Sequence, residues 1–294
     1  MVVIDNDCGY GPLFFSLSAK GKGKLEVIAL HDRYSRRGYG AFIPGGKRWV
    51  SSEREEVFTY FDPGDLKPPL HIYFSGYKTK QGFEGYNLMK KMGSPFLLVA
   101  EGRLEGGGFY IGSSEYENII VEAIEKYRNY LGFTNKELIF SGLSMGTYGA
   151  MYYGIDFSPY AILLGKPLVS LGDVAENERI LRPEVFPTSL DVMKYNEGEL
   201  SERAQRRLNE RIWKKAKNVR WNKTKFIISY MIEDDYDDKG YETLISRLDT
   251  KQVKIYGKGI HGRHNDDTFG IVDWYCSQLS TILQKDFERE DKKH

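Results

Sequence analysis

Leu138-Ile139-Phe140-Ser141-Gly142-Leu143-Ser144-Met145-Gly146-Thr147-Tyr148-Gly149-Ala150 is the stretch that decides the fold of this 294-residue chain. A short apolar run, Leu138 to Phe140, leads into Gly142-x-Ser144-x-Gly146, and small, helix-forming residues follow. This is the pattern of a nucleophile elbow, a sharp strand-to-helix turn that lifts a serine hydroxyl above the end of a sheet. The chemistry sets the spacing. The serine must hold a strained backbone at a cost of ~1–3 kcal/mol, and glycines two before and two after it remove Cβ atoms that would collide in the turn. The helix that follows aims unpaired N–H groups at charge developing beside the serine. A glycine-rich turn in an ordinary α/β domain has the same three residues; the strand before and the helix after favour the elbow, with Ser144 as nucleophile.

Outward from that stretch, strand and helix alternate from residue 70 to the end. Leu70–Phe74, Phe96–Ala100, Tyr160–Leu164, Phe226–Ile232 and Val253–Tyr256 read as strands. Ser114-Glu115-Tyr116-Glu117 reads as a capping box opening a helix with the apolar stripe Ile120, Ile124, Tyr127, Leu131 and a stop at Gly132. A closing helix carries Val272, Cys276, Leu279 and Leu283. The fold class is therefore α/β: an α/β-hydrolase-like, mostly parallel sheet with helices on both faces. Residues 170–222 interrupt the alternation with a polar helical insertion, where such folds carry a lid. Residues 1–69 differ, with short β-rich runs at 2–4, 13–17, 25–30 and 57–61 between turns, and read as a separate β-rich module, part of a sandwich. Asp62-Pro63-Gly64-Asp65 and Pro68-Pro69 make the linker.

Composition excludes several function classes. With 42 basic against 41 acidic residues, nothing global favours nucleic acid or an anionic membrane. No apolar run approaches the ~20 residues of a transmembrane segment. The N-terminus, with Asp5 and Asp7 and no basic region, is not a signal peptide. The two cysteines, Cys8 and Cys276, make no disulfide framework, so a reducing, cytoplasmic setting is expected.

A serine hydroxyl needs a base, and the base an orienting acid. Of five histidines, His31 falls in the β-rich module, His71 inside a strand and His294 on the tail, which leaves His261 and His264. Both lie in the glycine-rich loop after the last strand, where the base of this fold belongs; His264, just before the closing helix, is preferred. The acid belongs after the Phe226–Ile232 strand, giving the order serine, acid, histidine. Asp234 leads there, with Glu233 the alternative and Asp235 behind it; Asp237 and Asp238 complete the acidic cluster. Metal binding by that cluster fails, because an EF-hand loop begun at Asp235 would put Lys239 at position 5 and Ser246 at position 12. The oxyanion hole needs two backbone N–H groups, one from Met145 and one from the turn after the first core strand, Gly76 or Tyr77. Arg103, on the same rim, either binds a polar substrate or buttresses the site. Arg203, Arg206, Arg207, Arg211, Lys214, Lys215, Lys217 and Arg220 form a solvated helix face or, alternatively, a dock for an acidic partner or a phosphate-bearing acyl donor.

Several segments together carry a resemblance that the elbow alone does not. They are His71-Ile72-Tyr73-Phe74-Ser75-Gly76-Tyr77, Arg103-Leu104-Glu105-Gly106-Gly107, Ser141 to Thr147, Gly165-Lys166-Pro167-Leu168, Asp234-Asp235-Tyr236-Asp237 and Gly262-Arg263-His264-Asn265-Asp266. The chain resembles, from about residue 25 on, the second of the three accessory secretory proteins of the bacterial accessory Sec system, which exports serine-rich-repeat glycoprotein adhesins. The resemblance implies an acetyltransferase that O-acetylates N-acetylglucosamine on the adhesin, with Ser144 as nucleophile and His264 as base. For the acid, family members can carry glutamate where Asp234 stands, which keeps Glu233 open. It also implies a role in transport with the glycosylated adhesin, the other accessory secretory proteins and the accessory Sec motor, in the cytoplasm or at the inner face of the membrane. An acetyl donor is required, and no bound cofactor or metal is implied. Members of the family are longer, so the chain reads as a C-terminal portion. The residues alone leave two other functions open, a carbohydrate esterase with the same triad and a non-catalytic export scaffold.

Overall fold

Six strands lie side by side in parallel in the fold, in a computed structural model that describes residues 20–24, 43, 45–78, 82–181 and 189–290. The chain divides into two units, Met1–Asp32 and Arg33–His294. Of the first, residues 20–24 are described, as an exposed bend. The strand-like runs expected over 2–4, 13–17 and 25–30, with His31 and His294, lie outside the described residues.

The second unit holds one eight-stranded sheet: β1 (Lys47–Val50), β2 (Glu56–Asp62), β3 (Leu70–Phe74), β4 (Phe96–Glu101), β5 (Leu138–Leu143), β6 (Ala161–Gly165), β7 (Thr224–Met231) and β8 (Val253–Ile260). Their order across the sheet is β1-β2-β4-β3-β5-β6-β7-β8, with β3 to β8 parallel and β1 and β2 antiparallel at one edge. The core strands β3, β4 and β6 are buried along their whole length, as uninterrupted apolar sequence requires when helices cover both faces of a sheet.

The separate β-rich module expected through residue 69 does not hold for its second part. β2 runs along β4 from Val57 opposite Glu101 to Asp62 opposite Phe96, so 47–62 is an edge of the main sheet. Val57 packs into the core on one face and Phe58 on the other, and this two-sided burial needs the helices of the larger fold.

Helices α2 (Ser114–Leu131) and α3 (Met145–Phe157) cover one face; α1 (Tyr86–Met92) and α8 (Thr268–Lys285) cover the other. α2 begins one residue earlier than its expected capping box. Ser113 Oγ accepts the Tyr116 N–H at 3.2 Å, while Glu117, the carboxylate of the expected box, accepts instead from Arg211 at 2.6 Å and from the Tyr152 hydroxyl at 2.9 Å. Gly132, at φ 71°, ends the helix in the left-handed conformation. α3 is apolar almost all round and buried all round, the signature of a helix packed within a core. Between β6 and β7 come α4 (Leu171–Leu181), α5 (Ser189–Glu197) and α6 (Glu202–Ala216); α7 (Gly240–Arg247) lies between β7 and β8. Among the described residues, no helix is long and apolar enough to cross a membrane.

One buried polar cluster lies under the sheet centre. His71 Nε2 lies 2.6 Å from Ser141 Oγ, which also accepts the Tyr275 hydroxyl at 2.8 Å. Burial pushes the His71 imidazole down to about 3 from an ordinary 6.5. A base depressed on folding stabilises the fold above its unfolded pKa, and this contribution is lost as pH falls from 6.5 towards 3. His71 alone should therefore lower stability by up to about 1.4 kcal/mol per pH unit in that window. Urea unfolding at pH 7 and pH 4.5 checks this: His71→Gln is expected to be less stable at pH 7 but to lose less between the two.

Candidate active site

Ser144 sits at the tip of the turn between β5 and α3, at φ 51° and ψ −122°, a backbone that L-residues hold only when their surroundings impose it. Three contacts impose it: the Ser144 N–H donates to the Gly165 carbonyl at 2.8 Å, and the Ser144 carbonyl accepts the Thr147 N–H at 2.9 Å and the Thr147 hydroxyl at 2.5 Å. The flanking glycines are sterically required. A Cβ on Gly142 would meet the backbone of Gly146, and one on Gly146 would run into the Phe74 carbonyl oxygen.

The loops after β7 and β8 bring the partners in. Ser144 Oγ lies 2.8 Å from His264 Nε2, and His264 Nδ1 lies 2.8 and 3.1 Å from the two Asp234 oxygens. His264 is 1% exposed and Asp234 8% exposed, so this relay is shielded from water. Asp234 also accepts the Tyr236 N–H at 2.9 Å, Asp235 accepts the His264 N–H at 3.0 Å, and the Tyr236 ring stacks flat on the imidazole at 4.1 Å. The ring is thus fixed in position and tilt by the loop that supplies its acid.

The other sequence candidates lie elsewhere. His261 is largely exposed, with Nδ1 3.1 Å from Glu233, and Glu233 also accepts the Gly262 N–H at 2.6 Å. Glu233, the alternative acid, therefore braces the β8 loop and does not orient His264. Asp237 accepts the Val169 and Ser170 N–H groups at 2.7 and 2.8 Å and ties the acid loop to the start of the insertion. Burial pushes its carboxyl up to about 6 against the pull of those two amides.

A cavity of about 270 Å³ opens over the serine, lined among others by Gly76, Tyr77, Glu84, Ser144, Met145 and Lys166. Val174 brings the insertion into its wall, beside Leu168 from the segment that leads into it. The proposed oxyanion donors thus face the same space as the serine, Met145 as the first residue of α3 and Gly76 and Tyr77 from the turn after β3. The Gly76 N–H is already engaged, donating to Glu84 at 2.7 Å. Glu84, Lys166, Tyr236, Asn265 and Thr268 escaped the sequence reading as site residues. The available signal was Gly165-Lys166-Pro167, a lysine straight after an apolar strand, which the structure holds at φ 57°.

Arg103 does not join this cavity. It lines a separate one of about 200 Å³ with Glu55 and Tyr195. Its guanidinium donates to Glu55 at 2.9 Å, to Glu101 at 2.7 and 2.9 Å and to the Ile111 carbonyl at 2.8 Å, and lies over the Tyr116 ring at 3.7 Å. Burial works against its charge, but Glu101, Tyr116 and Glu55 outweigh it and hold the pKa above the ordinary arginine value. Of the two expected roles, substrate contact or buttress, these contacts fit the buttress, which ties the residue before β2 to β4 and to the turn before α2. Arg103→Met should cost about 3–5 kcal/mol of stability, because it strands two buried carboxylates. Urea unfolding measures that loss, and the KM for an acyl donor should stay unchanged.

The basic stretch of the insertion is only partly paired within the chain, with Arg206 meeting Glu202 at the surface. Arg207 pairs with Glu197 and Glu199, Arg211 with Glu117, and Lys215 with Asp156. Arg203, Lys214, Lys217 and Arg220 face solvent. Among the described residues, no cluster of histidine, cysteine and carboxylates could hold a metal ion.

A parallel sheet with an elbow serine at its centre, a histidine from the last strand's loop and a carboxylate from the loop before it defines an α/β-hydrolase-like protein. The capsule O-acetyltransferase of Neisseria meningitidis serogroup A has this fold, with a TM-score of 0.62 and 19% identity over 83% of this chain and 96% of that one. A histidine-to-alanine mutant of that enzyme has been solved in complex with CoA. The chain belongs to the accessory Sec system GspB-transporter family, that of accessory secretory protein 2, whose model matches residues 10–289. It is 46% identical over 274 residues to the accessory Sec system protein of that family from Staphylococcus aureus, which covers 93% of this chain and 52% of that protein. It is also similar to a chain of the Glycosylation Associate Protein (Gap123) complex from Streptococcus agalactiae, with a TM-score of 0.82 and 45% identity over 86% of this chain and 49% of that one. The chain thus spans about half the length of the relatives it matches.

Proposed function

We propose that this chain is a serine acyltransferase that O-acetylates N-acetylglucosamine on serine-rich-repeat adhesins in step with their export. The observation that carries the chemistry is the relay Ser144 Oγ–His264 Nε2 at 2.8 Å and His264 Nδ1–Asp234 at 2.8 Å. In the first half-reaction His264 takes the Ser144 proton as Oγ attacks the donor carbonyl. The tetrahedral oxyanion is held by the Met145 N–H and by the turn at Gly76 and Tyr77; one such donor is typically worth about 10²–10³ in rate. His264 then protonates the leaving group, and acetyl-Ser144 remains. In the second half His264 takes a proton from a sugar hydroxyl, whose oxygen attacks the acetyl carbonyl, and the proton returns to Ser144. Asp234 stabilises the imidazolium at each transfer.

Water in place of the sugar would make the same residues an esterase, so the acceptor decides between the two. A CoA thioester is the donor to test first, because an O-acetyltransferase of the same fold has been solved with CoA. We place the chain in the cytoplasm at the inner face of the membrane, with the other accessory secretory proteins and their motor; its membership of an accessory Sec family and its likeness to a chain of the Gap123 complex support assembly with such partners. The decisive experiment is mass spectrometry of adhesin glycans made with intact Ser144 and with Ser144→Ala. Loss of the acetyl mass is expected, and its persistence would refute the reading. If export of the adhesin survives that substitution, the transport role is carried by other surfaces.

A further inference from the structure

Among the described residues, Glu84 is the one carboxylate in the lining of the serine cavity, and it stands where a substrate oxygen is needed. Its Oε2 accepts the Gly76 N–H at 2.7 Å, and its own N–H donates to Ser75 Oγ at 3.1 Å, which laces it to the turn after β3. That N–H is one of the two candidates for the second oxyanion donor. A carboxylate oxygen and a developing oxyanion cannot share one donor, because both are negative and would meet at hydrogen-bond distance.

The same cavity holds a charge of the opposite sign. Lys166 is 4% exposed, and its Nζ donates to the Thr268 hydroxyl at 3.1 Å. A buried ammonium on a single neutral oxygen is an expensive arrangement, and burial lowers its pKa while Asp234 and Glu84 act to support its charge. Asp234 is committed to His264. Glu84 is thus the carboxylate left to respond to Lys166. Its charge also bears on the buried Tyr73 phenol, whose pKa burial and Glu84 together push up.

We propose that Glu84 is an internal occupant of the oxyanion site, displaced by the acyl oxygen of the donor, and that Lys166 receives the displaced carboxylate. This rests on the acyl-transfer reading and extends it. The oxyanion site is completed when a donor with a polarised carbonyl oxygen enters, and it stays closed by the protein's own carboxylate until then. Glu84 and Lys166 act as positioning residues.

The test is the rate at which p-nitrophenyl acetate acetylates Ser144 in the full chain, read by stopped flow and by mass spectrometry of the Ser144 peptide. Glu84→Gln removes the charge, and Glu84→Asp keeps it but draws it back from Gly76. Each should acetylate about 5–10-fold faster, as expected when a competitor leaves one oxyanion donor. Lys166→Met should be about tenfold slower, and adding Glu84→Gln to it should restore the rate, a strongly non-additive pair. Glu84 variants no faster than the parent, or effects of Glu84→Gln and Lys166→Met that add, overturn the proposal while acyl transfer stands. Absence of acetyl-Ser144 from every one of these proteins overturns both.

Discussion

Ser144→Ala and His264→Ala are each expected to lower acetyl transfer by about 10⁴–10⁶, and the double variant to be no slower than either alone. The reason is that the two groups perform one act. Without the hydroxyl, the imidazole has no proton to move. Without the imidazole, the hydroxyl on its strained turn is an ordinary alcohol with an unperturbed reluctance to ionise. The geometry makes the dependence tight, because Oγ and Nε2 are 2.8 Å apart and the imidazole is locked by Asp234, by the Asp235 contact to the His264 backbone N–H and by the Tyr236 stack. Single-turnover measurements with a chromogenic acetyl ester, on variants matched for thermal stability, provide the check. Losses that multiply in the double variant would mean that the residues act in separate steps.

The second large effect concerns the acid. Asp234→Asn is expected to cost about 10⁴ in rate, because an amide facing Nδ1 favours the wrong imidazole tautomer and does not stabilise the imidazolium. Glu233→Gln should leave the rate within about threefold, since exposed charges far from the relay contribute little. The contrast follows from burial: Asp234 is 8% exposed with both oxygens on the imidazole, whereas Glu233 lies at the surface against His261. Measuring kcat for both variants settles the choice that chain order left open, and equal losses would reassign the acid.

The parts of this site that were legible in sequence share a physical property: local pattern determines them. Gly142 and Gly146 around Ser144 report a turn too tight for side chains, and the apolar runs at 70–74, 96–100 and 226–232 report strands buried on both faces. Elimination among five histidines and the topology that puts the base after the last strand left His261 and His264, and the place just before the closing helix favoured His264. What the sequence withheld depends on contacts between segments far apart. Arg103 looked like a rim residue because its partners Glu55 and Glu101 become neighbours only once β2 pairs with β4. The same pairing hid the true edge of the sheet, since 47–62 has strand character in any fold and nothing local says which sheet it joins. Glu84 was invisible for a similar reason. Its role is defined by the Gly76 amide eight residues away across a turn, and no residue-type pattern marks that approach.

The Asp237 clasp on the amides of Val169 and Ser170 has an engineering consequence. Asp234 and Asp237 belong to one short loop, the first aligning the imidazole and the second riveting the insertion. A chimera that grafts another enzyme's helical cap onto this scaffold would therefore inherit a catalytic defect unless the graft presents two free amides to that rivet. Swapping specificity here means transplanting the anchorage along with the cap.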